Sequence, residues 1–214
     1  MRAIIFANGA LKRWPSGLEP CAASDRIIAA DGGLAHCLKW HVKPHVVIGD
    51  MDSAAAHDLK RLENEGVALI RHPAHKDKTD LELAIERVME EGISHVIILG
   101  ALGLRWDMTF STLLMLAVPR FKNLDIRLLD EAVEIRRLHA GQTAIVRGQV
   151  GDTLSLLALT ENAGGVSLEG LEYPLERATL QLGSSRGVSN VFKKPTARIR
   201  LQSGCLLIIV THQR

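Results

Sequence analysis

Two short acidic segments carry the residue types that bind a hard cation. Asp50 and Asp52 directly follow an apolar run, and Asp77 and Asp80 precede an amphipathic segment about 25 residues later. Mg²⁺ takes oxygen ligands, and proteins commonly hold it with one or two carboxylates together with a phosphate. Ligands of open α/β sheets bind outside the carboxyl ends of the strands, so the spacing favours a metal–phosphate site. The alternative is that these residues, together with Thr79, only cap the helices that follow.

Asp31, Gly32 and Gly33 follow the second apolar run and open a predicted helix. Paired glycines allow a phosphate to approach backbone N–H groups, and the N-terminus of a helix favours an anion. The three residues match neither of the common glycine-rich nucleotide-binding patterns, so a tight turn between strand and helix remains the alternative.

Arg105 and Asp107 lie in a glycine-containing loop, residues 100–107, after the fifth predicted strand. An arginine guanidinium is a natural partner of phosphate oxygens, so the loop is predicted to hold a triphosphate. The alternative is an exposed ion pair of little energetic value. Lys76 and Lys78, in the second acidic segment, either neutralise phosphate charge or remain solvated.

Ser185, Ser189 and Asn190 are polar residues in an otherwise β-rich second half. Hydroxyl and amide groups on a loop can recognise a heteroaromatic ring by hydrogen bonds, although a plain hairpin connection explains them at least as well. The residues alone leave both interpretations open.

The elements that position these residues change character along the chain. Apolar runs alternate with helical segments through the first 133 residues, which predicts a mainly parallel sheet flanked by helices, an α/β fold of Rossmann-like class. Helices are predicted at 34–40, 54–65, 80–91 and 109–116. From there on, glycines separate short β-rich runs at intervals of roughly eight to twelve residues, which predicts an antiparallel β-sandwich. The predicted domains are therefore 1–133 and 134–214.

Composition argues against several kinds of partner. The 214 residues carry a formal net charge of +2 and are 47% hydrophobic, so neither nucleic acid nor a membrane surface is expected to bind. Cys21, Cys37 and Cys205 are irregularly spaced, which argues against a zinc site or a disulfide framework. The first residues enter a strand without a secretory leader pattern, and no apolar run approaches the ~20 residues that span a bilayer. We therefore expect a cytoplasmic protein.

Taken in order, the motifs resemble those of the thiamine pyrophosphokinase (thiamine diphosphokinase) family over nearly the whole chain. The matching segments are 7–9, 31–33, 49–53, 77–82, 100–107, 170–175 and 187–190. The resemblance implies an α/β nucleotide-binding domain followed by a β-sandwich that binds thiamine. It implies transfer of a pyrophosphoryl group from ATP to the thiamine hydroxyl, which gives thiamine diphosphate and AMP. It also implies a homodimer whose active site lies between the α/β domain of one subunit and the sandwich of the other.

The resemblance assigns the metal and phosphate chemistry to five residues. Asp50, Asp52 and Asp77 would hold Mg²⁺ and, through it, the phosphates of ATP. Arg105 and Asp107 would contact phosphate and position the site.

Further binding roles follow from the same resemblance. The residues implied at the nucleotide are Asp31, Gly32, Gly33, Thr79 and Asp80. The residues implied to read the thiamine pyrimidine ring, from the partner subunit, are Ser185, Ser189 and Asn190.

Four positions depart from the family pattern, and one of them is Val191, which follows Ser189 and Asn190 where an acidic residue is common. The family has a second glycine, a histidine and an asparagine where this chain has Leu104, Met108 and Thr112. The departures leave the cation and nucleotide elements intact and concern the acceptor substrate. The alternatives are a related pyrophosphokinase acting on another hydroxylated heterocycle, and a nucleotide- or thiamine-binding homologue with impaired catalysis. A third alternative is that the β-rich half serves dimerisation alone.

Overall fold

The chain divides into two compact units in a computed structural model, which describes residues 1–15, 17–19 and 21–213. The first unit comprises Met1–Thr112 and Asn123–Glu131, and the second comprises Leu113–Lys122 and Ala132–Arg214. The predicted boundary after residue 133 stays a prediction. It lies close to the division after Glu131, but it does not anticipate that Leu113–Lys122 groups with the second unit.

A buried arginine explains that grouping. Arg137 is 9% exposed, and its guanidinium donates hydrogen bonds to the carbonyl oxygens of Leu116 and Phe121. Since a buried charge needs partners, the segment that supplies these carbonyls is held against the strand that carries Arg137. The sequence pattern gave no sign of this contact.

The first unit is built on a six-stranded sheet in which every strand pair is parallel. Its strands are β1 (Ala3–Phe6), β2 (Arg26–Ala30), β3 (Val46–Gly49), β4 (Ala68–Arg71), β5 (His95–Leu99) and β6 (Asp125–Asp130). They lie in the order β6-β5-β1-β2-β3-β4. The central strands are continuous apolar runs because helices cover both faces of such a sheet, as their burial confirms.

Among the described residues, four helices accompany the strands: α1 (Gly33–Lys39), α2 (Ala56–Asn64), α3 (Asp80–Glu90) and α4 (Trp106–Met115), and a 3₁₀ turn follows at Pro119–Phe121. In α3, the apolar positions at helical spacing are buried as predicted. The prediction for the start of α4 was wrong by three residues, because residues 106–108 are exposed and do not continue the apolar periodicity of a buried helix.

In the part of the second unit that the structure describes, the strands after β6 form two antiparallel arrangements. The first contains β7 (Val133–His139), β9 (Thr153–Ala158), β12 (Asn190–Val191) and β14 (Cys205–Thr211), in the order β12-β9-β14-β7. The second contains β8 (Thr143–Arg147), β10 (Asn162–Glu169), β11 (Leu175–Gln181) and β13 (Thr196–Arg200), in the order β11-β10-β13-β8. Side chains such as Leu156 and Ile208 from one sheet form a common core with Val166 and Ile199 from the other. The predicted sandwich is therefore confirmed, apart from the two-residue strand β12, which is too short to show a pattern.

Within the described residues, no helix combines the length and the apolar character needed to cross a membrane.

Candidate active site

Three aspartates converge at the carboxyl edge of the parallel sheet. Strands β2 and β3 are neighbours, and the backbone N–H of Asp31 donates to the Ile48 carbonyl at 2.8 Å. The chain then bends at Gly49, with φ of 152°, where a side chain would come within 3.1 Å of the Asp31 Cα atom. As a result, ligand oxygens of Asp31, Asp50 and Asp52 all lie within 4.8 Å of one another.

Hydrogen bonds fix these carboxylates individually. Asn8 Nδ2 donates to Asp31 Oδ2 at 3.2 Å, and Ser53 Oγ donates to Asp31 Oδ1 at 3.0 Å. The backbone N–H of Asp52 donates to Asp50 Oδ1 at 3.2 Å. Asp50 therefore accepts a hydrogen bond within the loop, and the Ser53 hydroxyl is used in the contact with Asp31. Helix α2 begins after Ala55 without a side-chain cap, so the capping alternative does not hold for this segment.

The electrostatics of the group favour a cation. The negative charge of Asp50, followed by a hydrogen bond with that residue, a small burial effect and the charge of Asp31, raises the pKa of Asp52 above its ordinary value. Carboxylates that raise one another's pKa are stabilised by a shared positive charge. Oxygen ligands from two segments, on an open edge that leaves room for water, fit the coordination that Mg²⁺ prefers.

Asp77 does not belong to this group. Its side chain is exposed in the loop before α3, and the described carboxylates that converge are those of Asp31, Asp50 and Asp52. The role of Asp77 as a metal ligand therefore stays a prediction. In the same loop, Thr79 accepts a hydrogen bond from the Glu82 backbone N–H at 3.2 Å, which confirms the capping alternative for that residue.

A cavity of about 230 Å³ lies beside the aspartates, at the carboxyl ends of β1, β2 and β5. Its polar lining includes Asn8, Asp31, Asp80 and Arg105. This edge of a parallel sheet suits a phosphorylated ligand. The cavity wall there offers oxygen atoms, glycine backbone and one guanidinium group.

Gly32 and Gly33 do not line that cavity. A Cβ atom on Gly33 would lie 1.9 Å from the Phe6 carbonyl oxygen, and one on Gly32 would lie 2.2 Å from Asn8 Oδ1. Gly33 is therefore required for close packing of α1 on the backbone of β1, and Gly32 leaves room for the Asn8 side chain, which agrees with the tight-turn alternative. Their predicted contact with nucleotide stays a prediction.

Arg105 and Asp107 form an exposed bidentate pair. Arg105 Nη2 donates to Asp107 Oδ2 at 2.5 Å, and Nε donates to Oδ1 at 3.2 Å. The hydrogen bond from Arg105 holds the pKa of Asp107 below its ordinary value, against a small burial effect. To bind a phosphate as predicted, Arg105 must exchange this carboxylate for a phosphate oxygen. While the pair persists, Asp107 is a weaker base.

Three of the positions that depart from the family pattern line the same cavity, namely Leu104, Met108 and Thr112. Leu104 has a φ of 58° and is 77% exposed. This left-handed conformation costs a non-glycine residue roughly 1–2 kcal/mol. The loop thus retains the backbone shape that suits glycine, while Leu104, Met108 and Thr112 make part of the wall more apolar.

The predicted thiamine-binding residues lie in the second unit, and they differ in exposure and in their hydrogen bonds. Ser185 and Ser189 are exposed, whereas Asn190 is buried. The Asn190 side chain accepts hydrogen bonds from the backbone N–H groups of Tyr173 and Val191, at 3.0 and 2.9 Å, and donates to the Tyr173 carbonyl at 2.7 Å. One amide hydrogen of Asn190 is left for any other partner.

Sequence reasoning missed the contributions of Asn8 and Ser53. Both lie in segments that the motifs highlighted, but neither type is a characteristic metal or phosphate ligand, so neither received a role. The available signal was position, because each follows a strand that ends at the same sheet edge as Asp31.

The fold and this site define an α/β protein that places carboxylates and a cavity at the carboxyl edge of a parallel sheet, continued by a β-sandwich. Residues 20–128 match the family described as "Thiamin pyrophosphokinase, catalytic domain", and residues 142–206 match "Thiamin pyrophosphokinase, vitamin B1 binding domain". The chain belongs to the thiamin pyrophosphokinase family, as the motifs predicted.

Individual relatives agree with this assignment. The chain is 28% identical over 182 residues to thiamine pyrophosphokinase of Bacillus subtilis (strain 168), covering 85% of each chain. A crystal structure of a thiamin pyrophosphokinase family protein from Enterococcus faecalis matches with a TM-score of 0.87 and 26% identity over 100% of both chains. The crystal structure of the Bacillus subtilis enzyme matches with a TM-score of 0.85 at 24% identity, which supports the fold.

Proposed function

We propose that this protein transfers a pyrophosphoryl group from ATP to the hydroxyl of thiamine, which gives thiamine diphosphate and AMP. The observation that carries the proposal is the convergence of Asp31, Asp50 and Asp52 beside a cavity at the sheet edge, in a chain of this family. The names of the relatives support thiamine as the acceptor.

Asp50 and Asp52, with Asp31, are the residues proposed to hold Mg²⁺. The ion would neutralise phosphate charge and polarise the phosphorus that is attacked. The chain's own contribution is positioning, since phosphoryl transfer requires little covalent chemistry from the protein. Asp80, which lines the cavity, and Arg105 are proposed to complete the phosphate site together with Asp77.

The reaction releases one proton from the thiamine hydroxyl as its oxygen attacks the β-phosphorus and AMP leaves. Asp77 and Asp107 are the candidate acceptors of that proton. Because the hydrogen bond from Arg105 lowers the pKa of Asp107, Asp77, which has no such partner among the described residues, is the better candidate.

Ser185 and Ser189 are proposed to contact the thiamine pyrimidine ring with their exposed hydroxyls, and Asn190 with its remaining amide hydrogen. The homodimer implied by the family pattern remains part of the proposal. Trp106 and Phe110, 82% and 64% exposed, are one helical turn apart on α4, and large exposed apolar side chains of this kind favour burial in an interface. A cytoplasmic location is also proposed, consistent with three free thiols.

The decisive experiment is an assay of the purified protein with ATP, Mg²⁺ and thiamine that measures thiamine diphosphate and AMP together. Equal amounts of both products are expected. Parallel assays with pterin alcohols and other hydroxylated heterocycles test the alternative acceptors. Binding of ATP or thiamine in a calorimeter without any product would instead identify a homologue with impaired catalysis.

A metal-site variant completes the test. Asp52→Asn should abolish turnover while the circular dichroism spectrum stays that of the wild type. Near-normal turnover in this variant would rule out the metal role assigned to the aspartate group.

A further inference from the structure

The loop before α3 contains two lysines, and the structure gives them different surroundings. Lys78 Nζ donates to both carboxylate oxygens of Glu86, at 2.8 and 2.9 Å. Lys76 Nζ lies 2.9 Å from Asp80 Oδ1 and donates to the Pro73 carbonyl at 3.1 Å. Lys76 therefore contacts a carboxylate of the cavity wall, whereas Lys78 is paired within the helical segment.

The pair of Lys76 and Asp80 is largely removed from water. Their side chains are 17% and 19% exposed. Asp80 Oδ1 is buried and accepts no hydrogen bond from the described residues, so the nearby ammonium group is what offsets its charge. A carboxylate oxygen in such a place needs a positive partner, and the chain supplies one from four residues earlier.

The cavity otherwise has too little positive charge for a nucleotide. The charged residues of its lining are Asp31, Asp80 and Arg105, and Arg105 is already paired with Asp107. The proposed Mg²⁺ would offset the charge of Asp31, but Asp80 lies outside the aspartate group and would repel the phosphates of ATP at short range. A lysine beside Asp80 reduces this repulsion, and its flexible stem allows the ammonium group to exchange a carboxylate oxygen for a phosphate oxygen.

We propose that Lys76 is a nucleotide-binding residue that determines the affinity of this site for ATP. It holds Asp80 in place while the site is empty, and its ammonium group neutralises phosphate charge when the nucleotide binds. The inference rests on the proposed function and deepens it, since the sequence left both lysines open between solvation and neutralisation. The geometry selects Lys76 for neutralisation and gives Lys78 a role in supporting α3.

The test compares matched variants of the full-length protein. Lys76→Met removes the charge and keeps the stem, and Lys78→Met is the control in the same loop. The Kd for ATP with Mg²⁺, measured by calorimetry, should rise about tenfold or more in Lys76→Met and stay within about twofold of wild type in Lys78→Met. Lys76→Arg should restore most of the affinity. Lys76→Gln, which keeps a donor for the Pro73 carbonyl, serves as the second variant should the methionine protein not fold.

Two further readouts separate this role from simple structural support. The KM for ATP should follow the Kd, while kcat and the KM for thiamine stay close to wild type. Mn²⁺ binding without nucleotide, followed by electron paramagnetic resonance, should be unchanged or tighter in Lys76→Met, because the three aspartates of the metal group keep their ligand atoms and a nearby positive charge is removed. A structural role predicts weaker binding of both ligands and a lower melting temperature.

An unchanged Kd for ATP in Lys76→Met, or an equal loss in Lys78→Met, would overturn the inference. Failure of the proposed function gives a different result: the wild-type protein would form no thiamine diphosphate, while Lys76→Met would still weaken ATP binding.

Discussion

Ser53 Oγ donates a hydrogen bond to Asp31 Oδ1 at 3.0 Å and ties the loop after β3 to the end of β2. Asn8, at the end of β1, holds the other oxygen of the same carboxylate at 3.2 Å. Three adjacent parallel strands thus contribute to one aspartate. The side chains around Asp31 fix its orientation before any ligand binds, which lowers the cost of ordering the site.

Ser53→Ala should weaken Mn²⁺ binding to the nucleotide-free protein by about three- to tenfold, because a hydrogen bond to a charged group contributes roughly 1.5 kcal/mol or somewhat less when exposed. The melting temperature should stay constant, since Ser53 is exposed. Ser53→Thr keeps the hydroxyl and serves as the control. Equal metal affinity in the alanine and threonine variants would show that Asp31 does not need this contact.

The aspartate group can be tested ligand by ligand. Asp31→Asn and Asp50→Asn should each reduce Mn²⁺ affinity in the nucleotide-free protein by more than tenfold, because each removes a charged oxygen ligand from the group. Asp77→Asn should leave that affinity almost unchanged and reduce turnover. A loss of Mn²⁺ affinity in Asp77→Asn that equals the loss in Asp31→Asn would identify Asp77 as a further ligand of the metal.

The overall fold could be predicted from the sequence because its signals are local. The continuous apolar runs of β1 and β3 and the helical spacing of buried residues in α3 each show in a window of a few residues. The grouping of Leu113–Lys122 with the second unit could not be predicted, because it depends on hydrogen bonds from Arg137, about 20 residues away in sequence.

The candidate site was predictable only in part, for a similar reason. Asp50 and Asp52 are marked by a strand end and a glycine, and this part of the site converges. The choice of Asp31 as their neighbour depends on which strands pair, because β2 lies next to β3. The Asn190 side chain forms hydrogen bonds with the backbone of Tyr173, 17 residues away in sequence. No motif indicates this contact.

Leu104→Gly should stabilise the protein. Leu104 has a φ of 58° and an exposed side chain, so glycine relieves roughly 1–2 kcal/mol of backbone strain and loses little burial. The greater freedom of glycine in the unfolded chain offsets part of this gain. We expect a net increase of about 0.5–1 kcal/mol in the free energy of unfolding, measured with urea. Leu104→Ala keeps the strain and should show no increase. A destabilised glycine variant would mean that the leucine side chain makes contacts in solution that outweigh the strain.

Stability should fall in acid partly through Glu91, the residue after α3. Hydrogen bonds from Arg26, at 2.7 Å, hold the pKa of Glu91 below its ordinary value of 4.5 against the effect of burial, and Arg87 lowers it further. A lowered folded-state pKa means that this stabilisation is present above the unfolded value and is lost as the pH falls through the folded value. Glu91→Gln should therefore cost about 1–3 kcal/mol at pH 7, and its difference from wild type should shrink below pH 4.5. A difference that stays constant from pH 7 to pH 3 would contradict this assignment.

Variants of Asn190 and Ser189 should distinguish an effect on protein stability from an effect on thiamine binding. Asn190→Ala removes three hydrogen bonds at a buried position, so the free energy of unfolding should drop by about 2–4 kcal/mol. Ser189 is exposed, so Ser189→Ala should change stability by less than about 0.5 kcal/mol, while the proposed ring contact predicts a several-fold higher KM for thiamine. If the β-rich half served dimerisation alone, neither variant would change that KM. A higher KM in Asn190→Ala at unchanged stability would show that the amide contacts thiamine directly, whereas a stability loss confined to Asn190→Ala fits an amide that holds Tyr173 in place.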